Sequence, residues 1–141
     1  MSTNYRDLVN EIRSSGDESA CVPISVSIVT GEPLKDTLTA FGLAGRKFRK
    51  GCSMKIIDEG LEILGYKKVK GTVRSKTVRT VERELKERAP GHPLIVDMEG
   101  HWAAWNGSKI DDHTAGRCRR INGTVYKLVK IDRLNPLLAS L

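Results

Sequence analysis

The sequence predicts an α+β fold in a single domain, residues 1–141, with N-terminal helices packed on a C-terminal antiparallel sheet. Apolar residues recur with a period of about 3.6 as far as residue 88, and with a period of about 2 beyond it. A chain of 141 residues, 39% of them apolar, can bury one core. Helices that precede the strands of one sheet are typical of this class.

The helical part begins at residues 4–14 and continues with an apolar helix that Asp17 or Ser19 can cap and Gly31 ends. The apolar positions of this second helix run nearly all round it, which predicts burial. Its β-branched residues leave a strand as the alternative, but Pro23 in the first turn favours a helix. Further helices are predicted at 33–44, Ser53–Leu64 and Thr77–Arg88, the last of them exposed, with a short extended segment at 66–70.

The strands are predicted at Leu94–Met98, His101–Trp105, Ser108–Asp111 and Thr124–Ile131. Asn106 and Gly107 form a pair that is typical of a two-residue hairpin turn. In that register Trp105 pairs with Ser108, and His101 lies opposite Asp112 on the same face of the sheet. Asp111 then points to the other face. A three-residue loop with a bulge would shift the register and leave the choice between the two aspartates open.

An imidazole beside a carboxylate is the base half of a nucleophile–base–orienter triad. Cys21 is the candidate nucleophile, because the N-terminus of a buried helix favours the thiolate and offers N–H groups to an oxyanion. The sequence thus indicates a catalytic set of Cys21, His101 and Asp112 or Asp111. Each residue taken alone is as readily explained as a structural one, and Cys52 is the rival reactive thiol.

The order of these residues resembles that of papain-like cysteine peptidases, in particular the small C39-like proteins of bacteria and their phages. The matching stretches are ACVPISVSIVTGEPLKDTLTAF, SMKIIDEGLEILGYK and GHPLIVDMEGHWAAWNGSKIDD, which together span most of residues 19–112. The resemblance implies a papain-like fold, with Cys21 as nucleophile, His101 as general base and Asp112 (or Asp111) as the residue that orients the imidazole. It also implies cleavage of an amide, peptide or isopeptide bond, or deamidation or acyl transfer by the same groups, and a protein or peptide substrate.

Two departures from the family separate this chain from a typical member. The family usually has a Gln a few residues before the cysteine, and none stands there in this sequence. The basic loop at 45–51 and the tail after residue 113 have no counterpart. A catalytically inactive, protein-binding module on the same scaffold is therefore an alternative.

Charge gives a further alternative. The net charge is +7, and residues 46–88 hold 14 Lys or Arg against 6 Asp or Glu. Such a regional surplus indicates either solvated helix faces or a surface for an acidic partner or nucleic acid. A basic nucleic-acid-binding regulator that uses residues 46–88 is the second function to be tested.

The composition indicates no cofactor and no metal. Cys52, Cys118, His92 and His113 lack the spacing of metal ligands. Three widely spaced cysteines without CxxC pairs argue against a disulfide framework. No apolar run is long enough for a membrane span, and the N-terminus lacks the apolar core of a signal peptide. We therefore expect a cytoplasmic protein, located in the host cytoplasm if it is phage-encoded.

Overall fold

The computed structural model describes residues 7, 8, 10, 21–47, 52–98, 101–111 and 121–131, and Asp7, Leu8 and Asn10 are helical. Within the described ranges the protein is a mixed α+β fold of helices and one antiparallel sheet, as the sequence predicts. The helices are α1 (Cys21–Thr30), α2 (Leu34–Leu43), α3 (Met54–Leu64) and α4 (Val78–Arg88). The strands are β1 (Tyr66–Thr72), β2 (Leu94–Met98), β3 (His101–Trp105), β4 (Ile110–Asp111) and β5 (Ile121–Lys130).

Local signals set the ends of the first three helices. Gly31 follows α1 with a φ of +78°, and Gly65 closes α3 in the left-handed region with a φ of +99°. Only glycine adopts such angles without strain. Ser53 caps α3 by accepting a hydrogen bond from the backbone N–H of Ile56 at 3.3 Å, and Pro33 precedes α2. The predicted end of α1 and the predicted bounds of α2 and α3 are confirmed to within a residue or two. Asp17 and Ser19, the predicted caps of α1, lie outside the described residues.

Helix α4 differs from its prediction. The hydroxyls of Thr77 and Thr80 form a reciprocal capping box at its start, as the residue types allow. However, the helix is not exposed all round, because Val78, Val81 and Leu85 are buried against the sheet. It is an amphipathic helix that covers one face of the sheet.

The sheet has the strand order β1-β5-β2-β3-β4, and every neighbouring pair is antiparallel. Strand β1 lies between α3 and α4 in the sequence and forms one edge of the sheet by pairing with β5. The pairing of β2 with β5 shifts between Asp97, which faces Thr124, and Met98, which faces Ile121. The two extra residues form a bulge, in which Gly123 has a φ of +81°.

Helices cover both faces of the sheet. The face under α4 holds a cluster that includes Val96, Ala103 and Trp105. The opposite face, under α1, α2 and α3, holds a second cluster that includes Ile95 and Trp102. Successive residues of β2 and β3 enter opposite clusters because side chains alternate along a strand.

Helix α1 is the most enclosed of the helices. Its residues from Val22 to Ser27 are all buried, since it packs on the sheet on one side and on Leu8 and Leu34 on another. The prediction that this segment is a buried helix rather than a strand is confirmed.

Candidate active site

Cys21 is the first residue of α1, and its side chain is half-buried. It packs against the cluster that also contains Val22 and Trp102. The first turn of a helix presents backbone N–H groups that have no partner within the helix, and these groups together with the helix dipole favour a thiolate. Helix α1 thus carries the candidate nucleophile in its first turn, as expected.

A buried hydrogen bond fastens this helix to the strand that begins with His101. The hydroxyl of Ser25 donates to the carbonyl oxygen of Trp102 at 3.0 Å, and Ser25 has no exposed surface. Cys21 precedes Ser25 by one helical turn, about 6 Å, and Trp102 follows His101 directly. The fold therefore brings the element that carries Cys21 onto the element that carries His101, although the two residues are 80 positions apart in the sequence.

His101 is buried at the start of β3, with 7% of its surface exposed. It pairs with Met98 across the β2–β3 hairpin. Directly paired residues share a face of the sheet, and Met98 belongs to the cluster under α4. Trp102, the next residue, belongs to the cluster under α1. The register therefore places His101 on the α4 side of β3, whereas Cys21 packs against the cluster on the α1 side. The fold brings the two elements together but sets these two residues on opposite faces of the strand.

The predicted register of the β3–β4 hairpin is wrong. Trp105 pairs with Ile110 rather than with Ser108, and Ala104 pairs with Asp111. The register is shifted by two residues, so the argument that set Asp112 opposite His101 no longer holds. Asp112 itself lies outside the described residues. A shift of two keeps each side chain on its predicted face, and Asp111 shares a face with Ala104 and, by alternation, with Trp102.

The turn explains the difference. The side-chain oxygen of Asn106 accepts hydrogen bonds from the backbone N–H of Ser108 at 2.9 Å and of Lys109 at 3.0 Å. The backbone N–H of Asn106 donates to the carbonyl oxygen of Lys109 at 3.0 Å. The loop therefore contains four residues, 106–109, and Gly107 within it has a φ of +101°. Asn favours two-residue hairpins and also turns that its own side chain closes; here the turn closed by the side chain forms.

The other residues considered in the sequence, Cys52 and the basic loop, differ in how far they are buried. Cys52, the rival reactive thiol, is half-buried two residues before α3 and packs against the same cluster as Cys21. In the basic loop, Arg46 is buried, with 9% of its surface exposed, and Lys47 is exposed. Arg46 is therefore not a solvated surface residue, whereas Arg49 and Lys50 lie outside the described residues.

A second site was missed by the sequence analysis. A groove of about 690 Å³ lies between the end of β1, the turn that follows it and α4. Glu84 of α4 sits in this groove and accepts hydrogen bonds from the backbone N–H groups of Arg74 and Ser75, both at 3.0 Å, and from Arg88 at 2.6 Å. The spacing of Glu84 and Arg88 is the one signal in the sequence that could have indicated part of it.

The carboxyl group of Glu84 is strongly acidic. Burial opposes its ionisation, but hydrogen bonds from the Ser75 side chain, the backbone of Arg74 and Ser75, and Arg88 outweigh that cost and lower its pKa from 4.5 to about 2. Elsewhere, burial and the hydrogen bond that Tyr66 donates to Glu32 raise the pKa of Tyr66 to about 12.

No family model, curated protein or solved structure matches the chain. Among the residues that the structure describes, no three His, Cys, Asp or Glu side chains gather in a way that could hold a metal ion. In the same part of the chain, no helix has the length and apolar content that a membrane crossing requires.

Proposed function

We propose that this chain is a papain-like cysteine hydrolase that cleaves an amide, peptide or isopeptide bond. One observation carries the proposal: the buried hydrogen bond from Ser25 to the carbonyl oxygen of Trp102 holds the helix that begins with Cys21 against the strand that begins with His101. A cysteine at the start of a buried helix and a histidine at the start of a packed strand are the two parts that thiol catalysis needs.

The reaction begins with attack by the thiolate of Cys21 on the carbonyl carbon of the substrate. The backbone N–H groups of the first turn of α1 stabilise the resulting oxyanion. The imidazolium of His101 then gives its proton to the leaving nitrogen as the C–N bond breaks, which leaves a thioester on Cys21. Water attacks the thioester and gives a proton to the imidazole, so that a carboxylic acid is released and the thiolate–imidazolium pair is restored.

The carboxylate that orients the imidazole is Asp112 in this proposal, with Asp111 as the alternative. Asp111 pairs with Ala104, which is three residues, or about 10 Å, along β3 from His101. That separation is too long for a direct hydrogen bond between extended strand positions.

The test is the pH dependence of thiol alkylation. The full chain is treated with iodoacetamide from acid to alkaline pH, and the modified cysteines are identified by mass spectrometry. We expect Cys21 to react rapidly at neutral pH, because a thiolate beside an imidazolium persists well below the ordinary thiol pKa of about 8.5. His101→Ala should slow the reaction of Cys21 at least tenfold at neutral pH.

Cys52 is the matched control, since it is half-buried and packs against the same cluster. It should react only as pH approaches the ordinary thiol range, in the parent chain and in His101→Ala alike. If Cys21 follows the same profile as Cys52, the hydrolase proposal is wrong. A chain whose Cys21 is inert while circular dichroism shows it folded would instead be a catalytically inactive, protein-binding module.

A further inference from the structure

The groove between β1 and α4 is lined by cationic and hydroxyl side chains. Three arginines, Arg74, Arg83 and Arg88, line it, and Thr72 adds a hydroxyl group. The hydroxyls of Ser75 and Thr80 also line it, but they donate to Glu84 and to the carbonyl oxygen of Thr77. Guanidinium and hydroxyl groups are donors that bind phosphate oxygens. The lining is thus chemically suited to an anion with several acceptor oxygens.

Carboxylates of α4 offset part of this charge, since Glu84 and Glu87 also line the groove and Glu84 forms an ion pair with Arg88. Glu84 accepts its hydrogen bonds from the wall of the groove itself, including one from the Ser75 hydroxyl at 2.8 Å. Glu82 accepts from the backbone N–H of Ile110 at 3.2 Å and so is directed toward β4. Glu84 thus holds the turn and Glu82 holds the short strand. Glu87 is the second carboxylate in the groove lining.

The guanidinium of Arg88 is held in a fixed position at the groove. It donates to Glu84 at 2.6 Å and to the carbonyl oxygen of Thr72 at 2.8 Å. A cation that is already ordered loses little conformational entropy when a ligand binds. Arg74 and Arg83 are exposed on either side, one on the turn and one on the helix.

The surroundings favour a long anion over a single phosphate. Residues 66–88 contain nine Lys or Arg and three Asp or Glu, a surplus of +6 within the overall +7. Three exposed arginines of the groove lie within this range, with Arg74 on the turn and Arg83 and Arg88 on α4. A polyanion can contact all of these side chains at once and release counterions from each contact.

Among the described residues, no aromatic side chain is exposed for a base to stack on. The aromatic side chains of the described residues are all buried, namely Phe41, Tyr66, Trp102, Trp105 and Tyr126. Proteins that bind single strands normally combine a basic groove with exposed aromatic rings. We propose that the groove between β1 and α4 binds the phosphate backbone of a duplex nucleic acid, without reading its sequence.

The test uses the full chain and fluorescently labelled duplex DNA of mixed sequence, with binding followed by anisotropy between about 50 and about 200 mM salt. The logarithm of the binding constant should fall linearly with the logarithm of the salt concentration. Arg83→Ala and Arg74→Ala should each weaken binding several-fold at the lower salt and reduce the salt slope by about 1.

Arg79→Ala is the matched control. It removes the same charge from the same exposed side of α4, one turn earlier, and Arg79 is not part of the groove lining. Its effect should be clearly smaller than that of Arg83→Ala, with circular dichroism confirming that all variants fold. If Arg79→Ala and Arg83→Ala weaken binding equally, net charge rather than the groove is responsible, and the proposal is overturned.

Three further outcomes would also overturn it. They are no binding to the duplex at the lowest salt, tighter binding to the matching single strand than to the duplex, and equal binding to an acidic polypeptide. The result is independent of the proposed hydrolase, because Cys21→Ala should bind the duplex as the parent chain does. Failure of the alkylation test therefore leaves this inference standing, and the reverse also holds.

Discussion

Glu84 shows how a single carboxylate can organise a loop. It accepts hydrogen bonds from two successive backbone N–H groups, from the Ser75 hydroxyl and from Arg88. Residues 73–77 join the edge strand β1 to α4, and Glu84 lies in the second turn of that helix. One side chain thus accepts several of the hydrogen bonds that hold the connection between an edge strand and its covering helix.

Glu84→Gln should lower the free energy of unfolding by about 2 kcal/mol at neutral pH, because charged acceptors make the stronger hydrogen bonds. The pKa of Glu84 is lowered in the fold, from 4.5 to about 2. Its contribution is therefore fully present above pH 4.5 and is lost as pH falls toward 2. Urea unfolding of both proteins across this range should show the difference between them shrinking with acidity.

Glu87→Gln, on the exposed side of the same helix, is the control. It should change the free energy of unfolding by less than about 0.5 kcal/mol. A Glu84→Gln variant with the same stability as Glu87→Gln at neutral pH would show that the hydrogen bonds of Glu84 contribute nothing.

The pairing of α2 and α3 rests on the lack of a side chain at one position. Gly60 is buried in α3, and a Cβ atom placed there would overlap the ring of Phe41 in α2. Phe41 has no exposed surface, so its ring has no free space into which to move. The glycine is therefore explained by close approach and not by a special backbone angle.

Gly60→Ala should destabilise the protein by about 1–3 kcal/mol, because the added methyl group forces the two helices apart. Gly42→Ala is the matched control, since Gly42 is helical, exposed and has no atom within 4 Å of the added carbon. That substitution should stabilise by up to about 1 kcal/mol. Thermal unfolding of both variants decides the point, and equal Tm values would contradict it.

Helices and turns differ in how far sequence alone predicts them. The caps of α3 and α4 follow from Ser53, Gly65 and Thr77, which act within a few residues. The hairpin was predicted in the wrong register because Asn106 is compatible with both a two-residue and a four-residue loop. The four-residue loop also contacts a loop that is distant in the sequence, because the backbone N–H of Gly91 donates to the carbonyl oxygen of Gly107 at 2.8 Å.

At the scale of the whole molecule, the sheet divides the core into two layers. Trp105 lies in the layer under α4, where its indole N–H donates to the carbonyl oxygen of Ala89 at 3.0 Å. Trp102 lies in the layer under α1, with its ring centroid 5.5 Å from that of Tyr126. The two tryptophans of the chain thus report on opposite faces of the same strand.

If the layers unfold together, each tryptophan should report the same transition as the backbone. In Trp105→Phe the remaining fluorescence comes from Trp102, and in Trp102→Phe it comes from Trp105, since the chain contains only these two. Urea unfolding followed by fluorescence and by far-ultraviolet circular dichroism should give coincident midpoints within each variant. Separate midpoints would show that the layers unfold independently and that the single-domain prediction is wrong.

The sequence by itself determined the class of fold, the places of the helices and of β2 and β3, and the burial of α1. Each of these follows from periodicity, glycines and caps, which act over short distances. The tertiary structure alone decided that helices cover both faces of the sheet, that β5 lies between β1 and β2, and that Asp111 faces Ala104. It also assembled the groove around Glu84 from β1, a turn and α4. These features depend on contacts between residues far apart in the chain, and such contacts leave no periodic pattern in the sequence.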